Sequence, residues 1–566
     1  MSYPPIEGSP KPSGKNRRQS FLDIGGPNSI NNFANSYARA QSYIGSTLLE
    51  RSPSLLINDE ISPNTSPLLE GRDEGEVTID YRLDEESSSV EEYGATSVPS
   101  SPGAHGYNHI RSFHFPGNDL PVETSPLFRN RSNSIAASIK SNSISIITGD
   151  STVPQTIFNS INTLMGIAML TLPYGFKVSG LVLGSLLLLT SAIITNFTAK
   201  ILGKILHRNP SLNTYGDIAH LFGGPIIAII VTAIFLVDLT GASLSLILLF
   251  SDSFNILLPQ ISKPVLKTFI VSLLFFLSAF PLSILSIFSL LGVICTLTVI
   301  LIVIICGFSI DTNPGSLFQP EMFNLWPMDY NYLFLSLGIF MAPWGGHPVF
   351  PELYRDMRHP KKFNKSSDVS FSITFILDYG IGIIGLLMYG LKCEDSIIKN
   401  LMHNEDYPVW VNPTLCLLMG LLPISKLPLI AKPIITVYEN FLGLNDDLLL
   451  QKEFNGSSPV SNSHINRHNS SIILFRKISR IMSRAVFCVL LLIVSLLFNS
   501  FGKLVSFLGS AICFTICFTL PFMFYLKVFY HEISIIKKLL VSIGIIIGIL
   551  GSVLGTYAAI TLDVDV

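Results

Sequence analysis

Charge is scarce in this sequence. Only 13% of its 566 residues are Asp, Glu, Lys or Arg, against 48% that are hydrophobic. That balance excludes an ordinary soluble enzyme. The formal net charge of −2 marks no acidic or basic partner, and no nucleic-acid partner is expected. Cysteine is also sparse, with seven in the chain. Six lie in apolar stretches and Cys393 falls in a loop. None forms a CxxC or a Cys/His zinc spacing, which argues against disulfides and against any metal site or bound cofactor. Cys513 and Cys517 sit one helical turn apart, as small packing residues would. A Walker loop and a Gly-x-Ser-x-Gly elbow are both missing, so no enzyme activity is expected. The first residues lack a basic region followed by an apolar one, so no signal peptide is expected.

What the chain has instead is a series of long apolar runs. Eleven spans are expected, at about 155–178, 180–203, 225–250, 266–283, 286–309, 331–354, 370–391, 411–440, 482–499, 504–529 and 539–561. Each is near the ~20 residues that ~30 Å of hydrocarbon demands. The chain therefore reads as an all-α polytopic membrane protein, with a transmembrane domain over 151–566. The eighth span is expected to be interrupted by Pro423, Pro428 and Pro433, and 441–481 is expected to be a cytosolic loop between spans 8 and 9.

Residues 1–150 differ in character. They are rich in Ser, Pro, Asn and Gly and carry 18 acidic against 12 basic residues. Such a segment cannot bury enough apolar surface to offset its ordering entropy, so a disordered cytosolic tail is expected. Ser-Pro pairs at Ser9, Ser52, Ser62, Ser66, Ser101 and Ser125 are either candidate sites for regulatory kinases or the ordinary content of such a tail. If the tail is cytosolic, the loops and span ends on its side hold 17 Lys and Arg, and those opposite hold 6. That bias agrees with the positive-inside rule and puts the C-terminus on the lumenal side.

Two spans are broken in the middle. The first reads "NTLMGIAMLTLPYGF" over 162–176. The sixth contains "MAPWGGHPVF" over 341–350. They stand five spans apart, as the two halves of a five-plus-five inverted repeat would require. Paired Gly/Pro-interrupted spans point to a transporter binding site at the bilayer midplane. Unwound backbone offers N–H groups for a carboxylate and carbonyls for an ammonium, and an α-amino acid carries both. Free backbone groups are costly in hydrocarbon, so such breaks line a cavity or meet a ligand. A proline kink is the plainer alternative for either break alone. The candidate substrate-binding residues are Asn162, Thr163, Met165, Gly166 and Ala168 in the first break, with Phe340, Trp344, Gly345 and Gly346 in the second. Backbone groups would take the charged ends of the amino acid. Met165, Phe340 and Trp344 would line the variable pocket, which suits large neutral substrates.

The stretch "TIFNSINTLMGIAMLTLPYGFKVSG" resembles the first helix of the amino acid/auxin permease family. The likeness continues in "TYGDIAHLFGG", "WGGHPVFPELYRDMRHP" and "LPISKLPLIAKPI". Together these look like the fungal vacuolar amino acid transporters, a branch similar to the vesicular inhibitory amino acid transporters of animals. The resemblance implies eleven transmembrane helices: a five-plus-five inverted-repeat core of the LeuT/APC type, broken in helices 1 and 6, plus one extra helix. It also implies proton-coupled transport, most simply antiport that loads neutral amino acids into the vacuole against protons, with the proton gradient as energy source. One departure is that the family often has Gly-x-Gly in the first break, where this chain has Gly166-Ile167-Ala168.

Ionisable residues inside a membrane are functional candidates. Asp238 shares a small, polar face of span 3 with Gly241, Ser245 and Asp252. Asp378 lies in span 7. Each is either a proton-coupling or gating carboxylate or a structural one bonded to a neighbouring helix. Lys426, between two prolines of span 8, would stand where a sodium ion sits in cation-coupled relatives. Alternatively it snorkels or pairs with Asp238 or Asp378. His347 is either a pH switch or a hydrogen-bonded structural residue. Glu352, with Arg355, Asp356 and Arg358 following, suggests a salt-bridged gate at the cytosolic end. Two other readings stay open: a symporter exporting amino acids to the cytosol, and a transceptor-type nutrient sensor that signals through its tail.

Overall fold

Nine helices among the described residues are long and apolar enough to cross a membrane. The computed structural model describes residues 32–39, 149–280, 282–442, 465–498 and 500–562. These belong to one compact unit formed by 1–53 and 146–566. Their regular structure is helical, and one isolated bridge joins Ser151 to Met357. Large apolar side chains such as Ile226, Phe276, Ile376, Ile493 and Ile546 are exposed on the outside. A water-facing surface would not carry so many, so this exterior is the one that meets lipid.

A short helix, α1, covers 32–39. This corrects the expectation of disorder across 1–150 at that one place; the rest of the tail before Gly149 lies outside the described residues. Eight residues are too few for a stable isolated helix. Here Ala34, Ser36 and Tyr37 are buried, so packing supplies what length cannot.

The first apolar run is divided into α2 (Val153–Leu164), a 3-10 turn (Ile167–Thr171) and α3 (Leu172–Ser179). A capping box of Thr152 and Gln155 starts α2. Pro173 begins α3, where a missing N–H costs nothing. Helices α4 (Leu181–Arg208) and α5 (Tyr215–Leu257) follow, and α5 is kinked at Gly223 and Gly224. Gly224 has φ of 74°, a left-handed conformation that favours glycine. Next come α6 (Lys263–Leu277) and α7 (Leu282–Gly307). At 15 residues, α6 is shorter than a straight crossing demands.

The sixth run is divided as the first is. Helix α8 (Tyr330–Met341) gives way to 3-10 turns at Ala342–Trp344 and His347–Val349, and then to α9 (Phe350–Arg355). After it come α10 (Phe363–Tyr389), a short helix α11 (Ile397–His403) and α12 (Val411–Phe441). The expected interruption of the eighth span is corrected: α12 runs unbroken through Pro423, Pro428 and Pro433. Neighbouring helices can hold a proline-bearing membrane helix together by satisfying the carbonyls each ring frees.

Helix α13 (Ile465–Leu497) begins inside the expected 441–481 loop, which carries no Gly or Pro after Pro459 to stop it. The chain then forms α14 (Phe501–Phe507), a π-helical stretch (Leu508–Thr519), α15 (Leu520–Val528) and α16 (Ile535–Thr561). The π-helical stretch touches α8 backbone to backbone. A Cβ on Gly509 would stand 1.8 Å from the Gly338 carbonyl oxygen, so only glycine permits the approach.

Candidate functional site

The two breaks face a common cavity of about 210 Å³. Asn162, Thr163, Met165, Gly166 and Ala168 line it from the first broken run, and Gly345 from the second. Asp238 and Ser245 of α5, Ser289 of α7, Lys426 of α12 and Cys513 of the π-helical stretch complete the polar part of its wall.

The first break is opened and then held. Met165 ends α2 with ψ of 89°, and Gly166 is extended. Gly166 has negative φ, and a Cβ there would meet nothing closer than 3.9 Å. The Met165 carbonyl, turned out of the helix, accepts a hydrogen bond of 2.6 Å from Lys426 Nζ. A charge-assisted bond of that length is strong inside a protein. Lys426 therefore neither snorkels nor pairs with a carboxylate; it caps the break. Gly292 of α7 makes room for it, since a Cβ there would press on the Ser425 hydroxyl and the Lys426 stem. Asn162 donates 2.8 Å to Ser289 Oγ, which ties the end of α2 to α7.

Several expected site residues lie elsewhere. Phe340, fully buried, packs edge-on against Phe176 at 5.1 Å. Trp344, also fully buried, stacks on Phe371 at 5.6 Å. Gly346 abuts Leu164 and Thr163 rather than the cavity. The expected aromatic pocket wall is thus corrected to core packing: these residues face the helices behind the break. Asp378 is buried, and neither of its oxygens has a hydrogen-bond partner among the described residues. It lies one turn before Gly382, which packs on Phe176 and Leu172, and it does not reach the cavity.

His347 is fully buried. Its Nε2 lies 3.1 Å from the Thr195 carbonyl and 2.8 Å from Thr198 Oγ1. A carbonyl only accepts, so Nε2 carries the proton. Thr198 in turn donates 2.7 Å to the Cys517 carbonyl. His347 is thus hydrogen-bonded through Nε2, joining the second break to α4 and the π-helical stretch. Glu352 is buried beside a small second cavity with Thr214 and Tyr215, and its Oε2 is unpartnered. Glu352 makes no ion pair among the described residues, which corrects the salt bridge expected of it. The ion pair in this stretch belongs to Asp356, which accepts 2.9 Å from Arg39 Nε. Arg355 binds the carbonyls of Leu206, Asn209 and Leu212 at the end of α4.

At the opposite end of the helices lies an ion cluster. Asp252 lies 2.8 Å from Lys263 and 3.1 Å from Lys399, and Lys399 lies 2.8 Å from Asp395. Asp395 accepts from the Gly502 N–H at 3.1 Å. Burial alone pulls the Lys399 ammonium down, but the Asp395 and Asp252 carboxylates outweigh it and hold Lys399 above the usual lysine range.

Sequence reasoning missed Ser289, Gly292 and Tyr37, which also borders the cavity. Ser289 and Gly292 stand three apart in α7, a small-residue step that marks where a neighbour approaches closely. Tyr37 carried no such signal.

A family model described as transmembrane amino acid transporter protein matches residues 149–561. Among relatives, amino acid transporter AVT1E of Arabidopsis thaliana is 25% identical over 423 residues, covering 72% of this chain and 73% of that one. AVT1B of the same plant is also 25% identical, covering 78% and 77%. AVT1J is 26% identical, covering 73% of this chain and 91% of its own. Among solved structures, the nucleobase-cation-symport-1 family transporter MHP1, in a closed conformation with bromovinylhydantoin bound, aligns with a TM-score of 0.41. Its identity is 11%, over 74% of this chain and 92% of that one. That likeness is too distant to argue from.

Proposed function

The chain belongs to the transmembrane amino acid transporter protein family, whose members are transporters and not enzymes, and from that membership we propose that it exchanges neutral amino acids for protons across the vacuolar membrane. The observation that carries this reading is the cavity between the two breaks, with Lys426 bonded to the Met165 carbonyl. Unpaired N–H groups at the start of the Ile167–Thr171 turn suit the substrate carboxylate. Carbonyls of Ala342, Pro343 and Gly345, which line the cavity, suit its ammonium. Asp238 and Lys426 are the ionisable carboxylate and amine on the wall, and Lys426 is already engaged. A substrate with no net side-chain charge fits such a wall best.

Lys426 supplies a fixed positive charge at a broken-helix carbonyl, a place where a mobile cation would otherwise bind. A fixed charge cannot be carried across, so coupling falls to a group that gains and loses a proton. Asp238 borders the cavity and is the candidate. The topology that goes with this reading has eleven crossings, an inverted-repeat core of five plus five, a cytosolic N-terminus and a lumenal C-terminus. Alternating access would expose the cavity to each side in turn.

The test is uptake of a labelled neutral amino acid into isolated vacuolar vesicles, with and without a proton gradient. Accumulation that collapses with an uncoupler supports the reading. Uptake indifferent to the gradient sinks it.

A further inference from the structure

Helix α1 lies against the end of the helical domain where the N-terminal tail enters. Its contacts are of four kinds. Arg39 holds Asp356 through two nitrogens, at 2.9 and 3.2 Å, and its Nη2 also reaches Ser151 at 3.3 Å. The Ser36 hydroxyl meets Ser151 and Asp356, and it accepts 2.8 Å from the Asn159 amide. Phe33 packs edge-on against Phe158 with centroids 5.2 Å apart. Tyr37 is buried against Leu285 and Leu429 and borders the cavity.

The partners come from four places: Ser151, Phe158 and Asn159 from the first broken run, Asp356 from just past the second, Leu285 from α7, and Leu429 from α12. Both broken runs are thereby fastened to the helices across the cavity from them. Opening the cavity toward this end requires those parts to separate, and α1 must leave first.

We propose that segment 32–39 is a plug supplied by the chain itself, which seats in the tail-side mouth of the cavity and holds it shut. The chemistry of the seat is specific. Asp356 is almost fully buried, so removing Arg39 takes the ion partner from a buried carboxylate and leaves it the Ser36 and Ser151 hydroxyls alone. Ser36 is fully buried against the same carboxylate, so any negative charge placed on residue 36 meets Asp356 head-on. Being too short to stay helical alone, the segment orders as it docks and is free to be released.

The inference rests on the transport reading only for its activity readout, and the experiment separates the two. In the full-length protein, Ser36→Cys and Ser151→Cys place two thiols where two hydroxyls touch. With a protease site inserted into the tail between them, an oxidised sample should keep its N-terminal fragment after cleavage and release it on reduction. Oxidation should also lower amino acid uptake into vesicles at least fivefold, reversibly. The release variants Ser36→Asp and Arg39→Glu should raise uptake at least twofold. They should also speed labelling of a Ser289→Cys reporter by a membrane-impermeant maleimide applied from the tail side. No retained fragment, uptake equal in oxidised and reduced protein, or labelling equal with and without the release substitutions would each overturn the plug. If no form takes up any amino acid, the transport reading fails, and cross-linking and labelling still decide the plug.

Discussion

The Lys426 ammonium stands 2.6 Å from the carbonyl oxygen of Met165, the residue at which the first broken helix stops. This contact joins two features that are far apart in the chain. One is a backbone carbonyl that the helix has given up, and the other is a lysine too central to reach water easily. Each makes the other tolerable in a bilayer.

Replacing Lys426 tests that mutual dependence. Lys426→Gln removes a charge-assisted bond worth ~1.5–3 kcal/mol, so uptake should fall by about ten- to a hundredfold. Lys426→Arg should retain part of it, limited by the space that Gly292 leaves. Vesicle uptake beside thermal unfolding in detergent distinguishes lost function from lost fold.

The two intramembrane aspartates should behave differently. Asp238 borders the cavity and Asp378 does not. Asp238→Asn is expected to abolish the dependence of uptake on the proton gradient. Asp378→Asn should leave that dependence in place. It should not lower the melting temperature, because a buried carboxylate with neither oxygen bonded contributes a cost rather than a contact. A gradient-independent Asp378→Asn protein would reverse these assignments.

Lys399→Met should weaken the ion cluster at the opposite end. Breaking a buried pair costs ~3–5 kcal/mol, and less is expected here because Asp252 keeps Lys263. The melting temperature should drop measurably. Adding Asp395→Asn should recover part of the loss, since it removes the carboxylate left without an ion partner, whose remaining bonds are from Gly502 and Ser500.

Cys393 should resist thiol reagents in the folded protein. Burial pushes its thiol up to about 12, with the nearby Lys177 only partly offsetting it, so thiolate is rare at pH 8. The linkage runs in one direction. The folded state favours the neutral thiol, so its stabilising contribution is complete below the ordinary cysteine range and is lost as pH rises from there toward 12. Maleimide labelling at pH 8 should leave Cys393 unmodified until detergent or heat unfolds the chain.

Much of the site was legible because breaks leave chemical traces. Gly166, Pro173, Gly345 and Pro348 are costly inside apolar runs, so they announce where the helices stop. Lys426 and Asp238 stand out as ionisable groups among apolar neighbours. Direction was not legible. Trp344 and Phe340 lie within a few residues of Gly345, yet they face Phe371 and Phe176, because a broken helix has no fixed period from which to read a face. Composition also hid α1. Its eight residues sit in a Ser- and Asn-rich tail, and what makes them helical is a binding surface built by residues more than a hundred positions away.

The contact between Gly338 and Gly509 bears on how the second broken run would move. Backbone pressed on backbone leaves no side chain to slide or re-pack, so α8 and the π-helical stretch act as one beam. Beyond the break, Arg355 ties α9 by three carbonyls to the end of α4. Ala342–Val349 is the length of chain between the two attachments. Ala342, Pro343, Gly345 and Val349, which line the cavity, therefore also lie in the joint, and whatever fills the cavity bears on that joint.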